Sequence, residues 1–455
     1  MEKTIAAIST APAPGGIGIV RISGGEAFAV AEKVFRGVSG KKVSQMKGYT
    51  AQLGGAYTPG GEKLDDVVAL VYRGPKSYTG EDVVELSCHG GLYMTKRLLQ
   101  LVLDAGAAPA GPGEFTRRAF LNGKMDLAQA EAVMGLISAS GEQARKAALA
   151  GSTGVLSRKI ESIKQGLLEQ AAHLAAWADF PEEDVPQVEE AALLEGIRQG
   201  EKALEELLQG FDRGRMYREG LVTVIAGRPN AGKSTLMNLL SGCQRSIVTQ
   251  YAGTTRDVVE ETVMVAGVPL RLADTAGIRD TDDPVESIGV QAARQRLETA
   301  QLVLAVFDSS QALEKEDWEL MDALEKVPAI AIVNKNDLPT RMDVEAIQKR
   351  FEKTVSLSAA TGEGLAALEQ ALSEILDTKD FHPQEGVLFT QRQRMDAQTA
   401  LDSLREGEQA LVLGLTLDAV TVCVEDALHA LAALTGEQVS EEIVDRVFEE
   451  FCVGK

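Results

Sequence analysis

Residues 221–235 read LVTVIAGRPNAGKST, an apolar, β-branched run followed by a glycine loop and a helix start. From Gly227 to Ser234 the spacing is G-x-x-x-x-G-K-S. Glycines at those positions let the backbone wrap closely around phosphate with successive N–H groups pointing inward. Lys233 is then placed to reach the β- and γ-phosphates, and the Ser234 hydroxyl to hold Mg²⁺. The helix beginning here adds its positive N-terminal end to the same anion.

Three further signals follow, each at the end of a strand-like run. Asp274, Thr275, Ala276 and Gly277 close the alternating segment Leu270, Leu272, Ala273. The Asp belongs to the Mg²⁺ shell, and Gly277 can offer its N–H to the γ-phosphate. NKND at 334–337 follows the apolar run 329–333. There the Asp337 carboxylate can accept from guanine N1–H and the exocyclic amine, which adenine cannot supply. Asn334 and Lys335 precede it in the same motif. Ser358, Ala359 and Ala360, after the strand-like 354–357, are placed to close over the base. Each signal alone is weak, but four in this order specify a guanine-nucleotide domain.

The elements that must position these groups come from the whole chain of 455 residues, a length suited to about three domains. Acidic residues number 67 and basic ones 46, a net charge of −21 that argues against a broad, non-specific nucleic-acid surface. The imbalance is uneven: residues 1–118 hold 14 basic and 11 acidic residues, so they carry +3 and the remainder −24. If anything anionic docks on this chain, the N-terminal part is the expected face. Four cysteines without paired spacing argue against a disulfide framework or zinc site. No signal peptide and no run of about 20 apolar residues stands out, so the expectation is a soluble cytoplasmic protein without a membrane span.

Residues 1–118 read as α/β, with strands at 5–8, 17–22, 67–72 and 83–86 and a helix at 92–103. CHGG at 88–91 reads as a turn rather than as a catalytic Cys–His pair. Helical periodicity then places Leu127, Ala130, Met134 and Ile137 on one face, and Leu156, Ile160, Ile163, Leu167 and Leu174 on another. A further helix carries Leu194, Ile197, Leu204 and Leu207 and leads through FDRGRMYREG into the nucleotide domain. An amphipathic helix at 365–376 follows that domain, and helical periodicity resumes at Met395. The expected architecture is α/β and all-α multidomain: an N-terminal α/β module (1–118), a discontinuous helical domain (119–215 and 379–455) and an inserted Ras-like P-loop GTPase domain (216–378).

Five stretches together resemble the tRNA modification GTPase MnmE (TrmE) family: GRPNAGKS at 227–234, AGTTRD at 252–257, GEFTRRAF at 113–120, the inserted nucleotide domain, and the terminal FCVGK at 451–455. The terminal Cys-x-Gly-Lys is the most specific of them. The resemblance spans the chain end to end. It implies a K⁺-activated GTP hydrolase that works as a homodimer with a flavin-dependent partner, MnmG (GidA). Together they install an aminomethyl-type group, carboxymethylaminomethyl included, at C5 of the tRNA wobble uridine, using a one-carbon unit from 5-formyl- or methylene-tetrahydrofolate.

The site residues implied by the resemblance extend the motif reading. Where Ras-like GTPases carry a water-orienting glutamine, this chain has Ile278. Asp280, Asp282 and Asp283 read as solvated loop acids, and Glu286 is the implied catalytic carboxylate beside Lys233. The GTP site takes Asn230, Ala231, Gly232, Lys233, Ser234 and Thr235 from the phosphate loop. It also takes Thr249, Gln250, Tyr251, Ala252, Gly253, Thr254 and Thr255 from TQYAGTT. Within these, Asn230, Thr249, Tyr251 and Thr254 would cage K⁺ in place of an arginine finger, and Thr255 would join Ser234 on Mg²⁺. Arg256 reads as the partner of an acidic neighbour. The N-terminal module resembles folate-binding domains, with Arg21, Glu85 and Lys124, joined by Lys455, as folate contacts. Cys452 stands as a candidate near the one-carbon group rather than as a covalent nucleophile. Two other classes fit part of the pattern: a GTPase switch in ribosome assembly, and a folate-dependent one-carbon transferase regulated by GTP. Partnership with MnmG leaves tRNA bound mainly through the complex.

Overall fold

The computed structural model describes residues 3–179, 190–243, 261–272, 300–376, 382–449 and 451–455. These fall into two compact units, one comprising Met1–Met134, Ile160–Pro181 and Thr416–Lys455, the other Gly135–Lys159 and Glu182–Leu415.

The first unit is built on a seven-stranded sheet. Its strands are β1 (Ile5–Ile8), β2 (Ile17–Ser23), β3 (Phe35–Gly37), β4 (Thr50–Tyr57), β5 (Lys63–Tyr72), β6 (Val83–His89) and β7 (Ala108–Pro109), in the order β3-β4-β5-β6-β2-β1-β7. All neighbours are antiparallel except β1 and β7. Alternation sends Val20, Ile22, Val84, Leu86, Val67, Ala69 and Val71 to one face, where helices α1 (Ala27–Val34) and α2 (Leu92–Asp104) cover them. The opposite residues, Arg21 and Glu85 among them, line the other face. His89 corrects the turn reading: it is the last residue of β6, its N–H donating to Asp65 Oδ2 at 2.9 Å and its Nδ1 lying 2.7 Å from Asp65 Oδ1.

Helix α3 (Glu114–Leu121) leads to α4 (Leu127–Ser138), and the unit closes with the C-terminal helices Leu417–Thr435 and Glu441–Glu449. Leu127, Ala130, Val444, Phe448 and Phe451 share a core, with Phe120 and Met134 packed against it. Ile137, expected on this face, is 36% exposed. Helix Val155–Asp179 buries Leu156, Ile160, Ile163, Leu167 and Leu174 as the periodicity requires.

In the second unit six strands run β13-β12-β11-β8-β10-β9: β8 (Leu221–Ala226), β9 (Glu261–Val265), β10 (Val268–Leu272), β11 (Leu302–Asp308), β12 (Ala329–Asn334) and β13 (Lys353–Ser356). Every pair is parallel except β9 with β10. The fully buried run of β11 and β12 reflects helices on both faces of a parallel sheet. Helix Glu190–Glu219 precedes β8 and packs along Gln391–Val412, with Arg198 to Glu408 and Arg405 to Glu205 both at 2.7 Å. Its buried stripe is Leu193, Ile197, Gly200, Leu204, Leu207 and Phe211. Leu193 thus takes the place expected of Leu194, because the 3–4 residue repeat runs on through the FDRGRMYREG segment, which is helical to Glu219. Gly220, at φ +74°, ends the helix where a side chain would meet Pro269 O.

Candidate functional site

The loop between β8 and the helix Lys233–Cys243 has the conformation that only its glycines permit. Gly227 lies at φ +154° and Gly232 at +98°, and a Cβ on the latter would stand 2.1 Å from Asn334 Nδ2. Asn230 also adopts a left-handed conformation, at φ +61°. Lys233 curls back so that Nζ donates to Gly227 O at 2.9 Å and Arg228 O at 2.7 Å, holding its charge inside the loop. Ser234 and Thr235 are exposed in the first helical turn, where a hydroxyl can ligate a cation.

The end of β12 locks this loop to the 358–360 turn. Asn334, 1% exposed, donates through Nδ2 to Ala231 O at 2.8 Å and accepts through Oδ1 from Ala359 N–H at 2.9 Å. Lys335, at φ +63°, donates to Asn230 O at 2.8 Å and to Asp308 Oδ2 at 2.7 Å. Ser358 is fully buried, its Oγ accepting from Thr361 N–H, and the 358–360 turn is thereby fixed. Asp337 projects its side chain into solvent. One short motif therefore ties the phosphate loop and the 358–360 turn together and leaves an exposed carboxylate beside them.

The network draws in two residues that the motifs do not single out. Asp308 ends β11 directly opposite Asn334 in the parallel register. Burial pushes its carboxyl up, but Lys335 and the Ser310 hydroxyl and N–H outweigh that and hold it below its ordinary value. Its apolar approach, 302–307, followed by Ser-Ser, is the pattern that could have found it. Arg228 pairs with Asp317 at 2.9 Å and Glu314 at 2.8 Å, the capping residues of helix Lys315–Ala323, and so anchors the loop from outside. Thr249, Gln250, Tyr251, Ala252, Gly253, Thr254, Thr255, Asp274, Thr275, Ala276, Gly277 and Glu286 lie outside the described residues, as do Arg256 and the loop acids.

The first unit holds a second constellation on the open face of its sheet. Arg21 donates from Nε and Nη2 to Glu85 Oε1, both at 2.9 Å, across the β2–β6 pair, and Tyr72 OH lies 3.4 Å from Glu85 Oε2. The guanidinium lies over the rings of Tyr78 (5.9 Å) and Phe115 (5.6 Å). The last residues of the chain dock beside it. Phe115 N–H donates to Lys455 O at 3.2 Å, Gly113 N–H to Cys452 O at 3.3 Å and Ser9 Oγ to Gly454 O at 3.1 Å. Gly454, at φ +96°, sits where a Cβ would be 2.1 Å from Ile8 O. Lys124 donates from Nζ to Pro75 O at 3.0 Å. Among the described residues no cluster of His, Cys, Asp or Glu is arranged to hold a metal ion, and no helix is long and apolar enough to cross a membrane.

A parallel sheet with a phosphate loop after its central strand and an NKxD motif two strands away defines a P-loop GTPase. A family model described as the GTP-binding protein TrmE N-terminus matches residues 4–124, and one described as the MnmE helical domain matches residues 127–452. The chain is 45% identical to the tRNA modification GTPase MnmE of Symbiobacterium thermophilum and 42% identical to that of Alkaliphilus oremlandii, in each case over 100% of both chains. Among solved structures, the G domain of the T. maritima FeoB iron transporter is similar at 26% identity over 34% of this chain and 98% of that one, with a TM-score of 0.26. The chain belongs to the tRNA modification GTPase MnmE family, and it is a GTP hydrolase acting in tRNA modification.

Proposed function

We propose that hydrolysis here is driven by elements internal to the chain and coupled to folate-dependent modification of the tRNA wobble uridine. The observation that carries this reading is the docking of the Cys452–Lys455 carbonyls onto the N-terminal end of α3, beside Arg21 and Glu85. It brings the end of a chain with an inserted GTPase domain to the open face of the N-terminal sheet.

In the nucleotide domain, bounded at 216–378, Asn230 through Thr235 would bind the phosphates, Asp337 would select guanine, and Ser358, Ala359 and Ala360 would close over the base. Asn230 offers a neutral amide oxygen from an exposed left-handed position, and the Ser234 hydroxyl is exposed at the helix start; both are donor types suited to hard cations. K⁺ held by Asn230, Thr249, Tyr251 and Thr254, with Mg²⁺ held by Ser234 and Thr255, would neutralise charge developing on the phosphates. Glu286 would orient the attacking water, with Asp274 and Gly277 serving the Mg²⁺ shell and the γ-phosphate.

In the N-terminal module (1–118), the Glu85 carboxylate can accept from a pterin amide and amine. Arg21, Lys124 and Lys455 can meet the anionic tail of a tetrahydrofolate, 5-formyl or methylene. Arg21 and Glu85, 19% and 15% exposed, are both within a ligand's reach. The helical segments 119–215 and 379–455 would transmit movement from the inserted domain. The chain would act as a homodimer with flavin-dependent MnmG, in the cytoplasm, with tRNA held largely by the complex.

The test compares GTP turnover in K⁺ and in Na⁺. The rate in K⁺ should be well above that in Na⁺, and Asn230→Ala should erase the difference while GTP affinity persists. Equal rates in the unchanged protein would remove the cation reading. Loss of wobble-uridine modification in a strain carrying Lys233→Ala would separate this reading from a ribosome-assembly switch.

A further inference from the structure

The edge of the N-terminal sheet carries a group of cations that form no ion pair. Residues 33–47 hold Lys33, Arg36, Lys41, Lys42 and Lys47 and no acidic residue. In a chain with 67 acidic residues, no carboxylate of the described residues lies within ion-pair distance of Arg36, Lys41, Lys42 or Lys47. All four side chains are exposed. The nearest acid in sequence, Glu32, is already engaged: its Oε1 accepts from Ser44 N–H at 2.8 Å and from Ser44 Oγ at 2.6 Å.

These cations sit on a fixed scaffold. Arg36 belongs to the edge strand β3, and its guanidinium lies 4.7 Å over the Tyr57 ring. Phe35, Val43 and Met46, interleaved with the cations, are buried in the sheet core. Gly40, at φ +71°, turns the chain back with its N–H on Gly37 O, so that Arg36, Lys41 and Lys42 line one cleft of about 270 Å³ together with Glu32, whose carboxylate is held by Ser44 and feels the charge of Lys42. Three cations against one carboxylate, with a stacked arginine–tyrosine plane, match a phosphodiester backbone whose bases are free to stack.

We propose that this cleft is where the chain itself contacts tRNA, by binding the sugar–phosphate backbone next to the nucleotide being modified. The inference rests on the family's role in tRNA modification. Charge complementarity favours this face: residues 1–118 carry +3, while the rest of the chain carries −24 and repels RNA. Strand β3 lies three strands from β6, which bears Glu85, a separation of about 14 Å at the usual inter-strand spacing, or a few nucleotides of chain.

The test titrates the full-length protein with bulk tRNA between 50 and about 200 mM KCl, the range over which phosphate contacts weaken steeply. The variant Lys41→Gln/Lys42→Gln should bind about tenfold or more weakly, and its slope of log K against log salt should be shallower by about 1.4. GTP turnover and thermal melting should stay unchanged. A control, Lys202→Gln/Lys315→Gln, removes two exposed charges elsewhere and should bind as the unchanged protein does. Equal weakening in the control, unaltered binding in the variant, or no binding by the unchanged protein at 50 mM would each overturn the proposal. A strain lacking the chain reports separately on the role it rests on. If that strain keeps its wobble modification, the role fails; if it loses modification while the variant binds normally, the cleft alone is wrong.

Discussion

Asn334→Ala tests the claim that one buried amide couples the phosphate loop to the 358–360 turn. Removing it leaves Ala231 O and Ala359 N–H without partners, and both residues are nearly inaccessible, at 2% and 5% exposure. Each unsatisfied buried group costs about 1–3 kcal/mol, so the pair should cost roughly 4 kcal/mol. That is a large share of the 5–15 kcal/mol that typically stabilises a domain. Denaturant melting of the nucleotide domain, read in the full-length protein with and without GDP, measures it. The midpoint should fall in both conditions, and GDP affinity should drop at least tenfold because the loop loses an anchor. Asn336→Ala is the matched control, since Asn336 Oδ1 is buried without a hydrogen-bond partner and its loss should shift stability by less than about 1 kcal/mol. Equal effects from the two substitutions, or unaltered GDP affinity in Asn334→Ala, would refute the coupling.

Asp308, held below its ordinary pKa against the opposing effect of burial, should make the nucleotide domain acid-sensitive. Its contribution is complete above the unfolded value of about 3.9 and is lost as pH falls through the lower folded value, so the Asp308→Asn variant should lose less stability between pH 5 and 2 on melting. Asp337→Asn should trade guanine for xanthine preference, read as relative GTP and XTP affinity; persistent preference for GTP would mean that the base-binding loop is misassigned. Gly454→Ala places a Cβ 2.1 Å from Ile8 O at φ +96°, so the tail should undock. Limited proteolysis should release the C-terminal residues faster than in the unchanged protein, and tetrahydrofolate binding measured by calorimetry should weaken.

What the sequence determined by itself is the local chemistry. The phosphate loop was legible because glycine spacing, strand and helix start are contiguous, and a left-handed backbone at Gly227 and Gly232 needs no distant partner to be recognised. Strands β2 and β6 were legible because alternating burial is written residue by residue. Tertiary structure decided whatever depends on register or on long closures. Asp308 joins the site because parallel pairing sets it opposite Asn334, 26 positions further along the chain. Arg228 matters because a helix cap some 90 residues away meets it. Leu193 rather than Leu194 is buried because the 3–4 residue repeat is set by one helix that runs on to Glu219 and packs along Gln391–Val412. The tail reaches Ser9 across 445 positions, a contact that no local propensity encodes, since it is held by backbone carbonyls and by a glycine with no room for a side chain.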